Sequence, residues 1–207
     1  MIVDQTIRGF LDELASSAPT PGGGSAGALV GAVGAALLAM VGNLTAGKKG
    51  YEAVDRSMRD LVVEADRLRG ALVRLADEDV RVFAEVMAAY RMPRGDDAER
   101  AARRTAIQGA LRAATEAPLA LARVCSEVIE LAATAAEEGN TNVVSDAGVG
   151  VVAAHAALRA AALNVYINAG SIADREFADR SVSELEGLLA TGAERTEAVF
   201  ARVRERL

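Results

Sequence analysis

From Pro19 to Gly47 the chain carries no charged residue. Such a stretch admits two environments: about 20 apolar residues can cross a bilayer, and a helix with no polar face is otherwise stable only when packed on most sides. Gly27 and Gly31 stand at the G-x-x-x-G spacing with which membrane helices pack closely. Thr20, Ser25, Asn43 and Thr45 interrupt the run, however, and every other segment reads as an ordinary amphipathic helix. The stretch is therefore expected to be a buried central helix, with no membrane span.

Residues 4–18 place Ile7, Phe10, Leu11, Leu14 and Ala15 at helical spacing and end at the Pro19-Thr20-Pro21 breaker. Ser25 is positioned to cap the next helix, which runs through Leu29, Val33, Leu37 and Val41 to a stop near Gly47. The most regular signal follows. Val54, Met58, Leu61, Ala65, Leu68, Leu72, Leu75, Asp79, Val82, Val86 and Tyr90 advance almost entirely in steps of three and four, which predicts one long helix with only Gly70 interrupting it and Pro93 and Gly95 ending it. Residues 96–116 are helical again, Pro118 restarts or kinks a helix reaching Glu138, and Gly139-Asn140-Thr141-Asn142 is a turn. From Ala147 to Ala173 only Arg159 is charged, so this segment is expected inside, beside the second helix or in a subunit interface. A final amphipathic helix carries Ser181 and Glu184 at capping-box spacing. With no strand pattern, the expected fold is an all-α single-domain bundle of long helices spanning residues 1–207. Because 51% of residues are hydrophobic but only 3% aromatic, Ala, Leu, Val and Gly must fill the core and bring helices close together.

The formal net charge of -6 removes the basic footprint a nucleic-acid binder needs, so nucleic acid is excluded as a partner. One cysteine, Cys125, and one histidine, His155, make neither a disulfide nor a zinc-ligand pattern, which points to a cytoplasmic chain without a metal. The N-terminus has no basic region or uninterrupted apolar segment of the secretory kind and is expected to belong to the fold.

Two phosphate motifs match by letter and fail by context. Gly22-x-Gly24-x-x-Gly27 follows a helix where a dinucleotide fingerprint follows a strand, and Gly42 to Lys49 has Lys49 where a Walker loop needs Ser or Thr. The triple glycine Gly22-Gly23-Gly24 is then either a tight turn or a place where a flat ligand or an anion approaches a helix N-terminus. Asp79 breaks the apolar stripe and should point inward, either in a buried ion pair or as a general acid or base with a raised pKa. Lys48 with Lys49, and Arg91 with Arg94, are the local positive clusters. Asn164 and Asn168 share one helix face and require a partner helix, subunit or ligand. His155, Cys125 and Ser25 show no triad partners, which leaves nucleophilic catalysis unsupported.

Pro19-Thr20-Pro21-Gly22-Gly23-Gly24-Ser25, Leu44-Thr45-x-Gly47-Lys48-Lys49 and Asp77-x-Asp79-x-x-x-Phe83 together resemble the folate cyclodeaminases and methenyltetrahydrofolate cyclohydrolases. Tyr90-Arg91-Met92-Pro93, Gly139-Asn140-x-Asn142-x-x-Ser145-Asp146 and Asn164-Val165-Tyr166-x-Asn168 extend the resemblance over essentially the whole chain. It implies an all-helical homodimer that binds tetrahydrofolate derivatives, with no cofactor beyond that substrate and a catalytic aspartate at Asp79. It also implies that Lys48 or Lys49 stabilises developing negative charge or holds glutamate carboxylates. The remaining implied substrate-binding residues are Gly22, Gly23, Gly24, Ser25, Arg91, Asn164 and Asn168. Arg81 departs from the acidic residue that relatives often carry. A chain with no room for a formiminotransferase domain looks most like the serine-cycle cyclohydrolase, with the cyclodeaminase reaction as the alternative and a non-catalytic folate-binding or structural helical dimer as a third reading.

Overall fold

The computed structural model describes residues 2–207 and contains helices α1 (Ile7–Leu14), α2 (Gly23–Asn43), α3 (Asp55–Arg91), α4 (Asp97–Glu138), α5 (Val144–Ala169) and α6 (Arg175–Glu205), with no strand among the described residues. Both α2 and α5 are long and apolar enough to cross a membrane. They are instead the paired core of this bundle, α2 lying between α3 and α5 with α4 and α6 completing the packing.

Glycine and alanine set the distances between these helices. A Cβ placed on Gly34 would lie 2.7 Å from the Gly150 carbonyl oxygen, and one on Gly150 would lie 3.0 Å from the Gly34 carbonyl oxygen, so α2 and α5 touch backbone to backbone. Gly27 meets Ala160 while Gly34 meets Gly150, which makes the two helices antiparallel. On the other side Gly42 faces Met58, Gly31 faces Leu72 and Gly24 faces Asp79, so α3 also runs antiparallel to α2.

The stripe on α3 forms one unbroken helix through Gly70, with Met58, Leu61, Ala65, Leu68 and Leu72 buried. Beyond Leu72 burial continues at Ala76, Val82 and Ala89, while Tyr90 at the end of the stripe is exposed. Helix α4 is likewise continuous, so Pro118 lies inside it and does not restart it. Proline has no N–H for the carbonyl one turn back, that of Ala114; the Asn168 amide of α5 donates to that oxygen instead, at 2.6 Å.

Three local expectations are corrected. Helix α1 is shorter than residues 4–18: Thr6 caps its start by accepting the Gly9 amide, and at its end the Ser16 hydroxyl donates to the Glu13 carbonyl and competes with further helix. Ser25 does not cap α2, whose N-cap is Gly22, because Ser25 already lies inside the first turn. Ser181 and Glu184 form no capping box, since Asp174 caps α6 earlier and Ser181 donates back to Phe177 within the helix. Gly139 does stand at the end of α4, though for room: its φ is −61°, and a Cβ would sit 2.3 Å from the Ala135 carbonyl oxygen and 2.7 Å from Val41.

Candidate active site

Asp79 sits partway along α3, where that helix passes the first turn of α2. The opening turn of an α-helix leaves backbone amides without intrahelical partners, and one of them, on Ser25, donates to Asp79 Oδ2 at 2.9 Å. The Ser25 hydroxyl donates to the same oxygen at 2.8 Å and lies 3.1 Å from the Ala76 carbonyl oxygen. Its single proton belongs to the shorter contact with the charged acceptor. Asp79 thus supplies from a neighbouring helix the cap that α2 lacks in its own sequence.

The carboxylate comes this close because residue 24 is glycine. A Cβ there would stand 2.1 Å from Oδ1 and 2.8 Å from Oδ2. Of the alternatives for Asp79, the structure favours a carboxylate held by neutral donors: among the described residues it accepts from the two donor groups of Ser25 and takes part in no ion pair. Arg81 points elsewhere, donating to Glu78 at 2.8 Å and pairing with Glu85 on the exposed side of α3, where it holds the Glu78 carboxyl below its usual range. Asp77 accepts the Ile2 amide at 2.7 Å.

Other candidates gather at this end of the bundle. Asn164 lies one turn beyond Ala160, the residue facing Gly27, and donates to the Ala160 carbonyl at 3.2 Å. Asn168 follows on the same face, but its amide is engaged by Ala114. Arg91 stands at the far tip of α3, about 18 Å along the helix from Asp79 at 1.5 Å per residue. Phe83 lies one turn from Asp79 on the same face and is 37% exposed.

Lys48 and Lys49 are not here. They follow the C-terminus of α2, whose 21 residues span about 30 Å. Lys48 Nζ stands 5.9 Å from the Tyr51 ring centre, and Tyr51 Oη accepts the Thr141 amide at 3.1 Å. The hydrogen bond with the Thr141 hydroxyl and that from the Thr141 amide, with Lys48 and Arg206 nearby, lower the Tyr51 pKa from its usual value. Buried Asn140 ties this end together, donating from its backbone to Thr45 Oγ1 at 2.9 Å and from its side chain to the Leu44 carbonyl at 3.0 Å. The sequence blocks that were read as one site therefore divide: the glycine loop, Asp79 and Asn164 at one end of α2, Lys48, Lys49 and Asn140 at the other. Among the described residues there is no cluster of three His, Cys, Asp or Glu side chains able to hold a metal.

The same blocks are matched from outside. Residues 6–187 fit the family model described as formiminotransferase-cyclodeaminase. The chain is 51% identical over 207 residues to methenyltetrahydrofolate cyclohydrolase of Methylorubrum extorquens, covering 100% of both chains. It is 34% identical over 188 residues to formimidoyltransferase-cyclodeaminase of Mus musculus, covering 91% of this chain but 35% of that one. The fold superposes on the crystal structure of formiminotetrahydrofolate cyclodeaminase from Thermotoga maritima with a TM-score of 0.85 at 33% identity, covering 100% of this chain and 98% of that one. Sequence blocks, helical architecture and the full-length match agree, and the chain belongs to the formiminotransferase-cyclodeaminase family.

Proposed function

We propose that this protein is a methenyltetrahydrofolate cyclohydrolase that opens 5,10-methenyltetrahydrofolate to 10-formyltetrahydrofolate, working as a homodimer. The single observation that carries the reading is a carboxylate fixed beside a glycine loop, Asp79 on Ser25, in a chain 51% identical to a cyclohydrolase along its whole length.

The chemistry asks for little else. Water adds to the electrophilic amidinium carbon between N5 and N10, forming a C–O bond while Asp79 accepts the water proton. The tetrahedral adduct collapses with cleavage of the C–N5 bond: Asp79 returns its proton to N5, the hydroxyl proton of the adduct is released to solvent as the carbonyl forms, and the formyl group stays on N10. The substrate is itself the electrophile, so no cofactor beyond the folate is required. Gly22 and Gly23 give a flat pterin room near Asp79, while Gly24 makes room for the carboxylate itself, with Asn164 and the exposed Phe83 ring on the same end of the bundle.

A second copy supplies what one chain holds too far away. The outward faces of α2 and α5 are apolar, with Val33 57% and Leu163 64% exposed. Val33 is the middle residue of α2. A two-fold axis there would set two α2 helices antiparallel and bring Lys48 and Lys49 of one copy to the glycine loop of the other. In that place the ammonium groups hold the glutamate carboxylates or offset charge developing in the transition state.

The test follows the loss of methenyltetrahydrofolate absorbance alongside ammonia release from 5-formiminotetrahydrofolate. Rapid hydrolysis without ammonia release, and a fall of about 100- to 10,000-fold in Asp79→Asn, are expected. Ammonia release as the faster reaction would make the protein a cyclodeaminase, and turnover of neither substrate would leave a binding module.

A further inference from the structure

We propose that Ser25 is a positioning residue for Asp79, acting through that carboxylate and not on the substrate. The proposal rests on the reading of Asp79 as the proton acceptor.

Ser25 is fully buried, so a bound folate would not reach its hydroxyl without displacing the helix contact. Both of its donors, the backbone amide at 2.9 Å and the hydroxyl at 2.8 Å, converge on Oδ2 of Asp79. An aspartate on a helix is otherwise free to rotate its carboxylate about the last side-chain bond. Two donors fixed on one oxygen stop that rotation and leave Oδ1 as the oxygen for an incoming water. Gly24 completes the arrangement from the other side, because any side chain there would occupy the space of Oδ1. The backbone amide of Ser25 is set by α2 itself, whereas the hydroxyl is the part that a substitution removes. A general base held slightly out of line with its proton loses rate with little change in substrate affinity.

Ser25→Ala tests this by splitting kcat from KM for methenyltetrahydrofolate hydrolysis, with thermal unfolding of each variant measured in parallel. Expected are a folded protein, a kcat lower by about 10- to 100-fold and a KM within about threefold of the wild type. In the Asp79→Asn background the same substitution should cost no further turnover, because the carboxylate it orients is gone. An unchanged kcat, an effect confined to KM, or losses that multiply in the double variant would each overturn the proposal. Wild-type hydrolysis that Asp79→Asn leaves intact would remove the underlying reading of Asp79, a result that the single Ser25 variant cannot mimic.

Discussion

At Gly23 and Gly24 two neighbouring residues of one type do different things. A Cβ at Gly23 meets nothing within 4 Å, whereas at Gly24 it meets the Asp79 carboxylate. Alanine also favours a helix over glycine. Gly23→Ala is therefore expected to leave the melting temperature unchanged or raise it, while Gly24→Ala destabilises by about 1–3 kcal/mol through overpacking. Thermal denaturation of the two variants side by side measures the contrast, and equal behaviour would mean that the carboxylate has somewhere else to go. Sequence reasoning found Asp79 because a charge on an apolar stripe is anomalous. It assigned Ser25 to the wrong partner, since capping patterns are local and the group that Ser25 serves comes from another helix 54 residues away.

Among elements, α4 shows how two puzzles in the sequence resolve each other. Pro118 signals a broken helix and Asn168 an amide in need of a partner; in the fold, the amide satisfies the Ala114 carbonyl that the proline leaves without a donor. Neither half of that exchange is visible along the chain, because it needs the crossing of α4 and α5. Asn168→Ala should cost about 1–3 kcal/mol in denaturant unfolding, the penalty of a polar group left unsatisfied away from water. In a Pro118→Ala background, where residue 118 regains its N–H, the same substitution should cost clearly less. Equal costs in both backgrounds would separate the two residues. The long elements themselves were legible, since the period of α3, the uncharged length of α2 and the sparsely charged length of α5 leave a chain of this composition few other ways to bury its apolar surface.

On the scale of the molecule, helix length decides the argument. Ser25 and Lys48 are near in sequence, yet α2 lies between them as a rigid rod of about 30 Å. That separation follows from reading the helix; what bridges it does not, because one chain's sequence holds no record of where a second copy packs. In the proposed dimer the second copy covers the exposed valines and leucines of α2 and α5. The most direct measurement is complementation between variants that are each inactive: Asp79→Asn, which empties one end of α2, mixed under subunit-exchange conditions with a protein carrying Lys48→Ala and Lys49→Ala, which empties the other. If a site takes Asp79 from one chain and the lysines from the next, mixed dimers each keep one intact site, and hydrolysis should return to about a quarter of the wild-type rate. No recovery of turnover, with subunit exchange verified, would contradict a site shared between two copies.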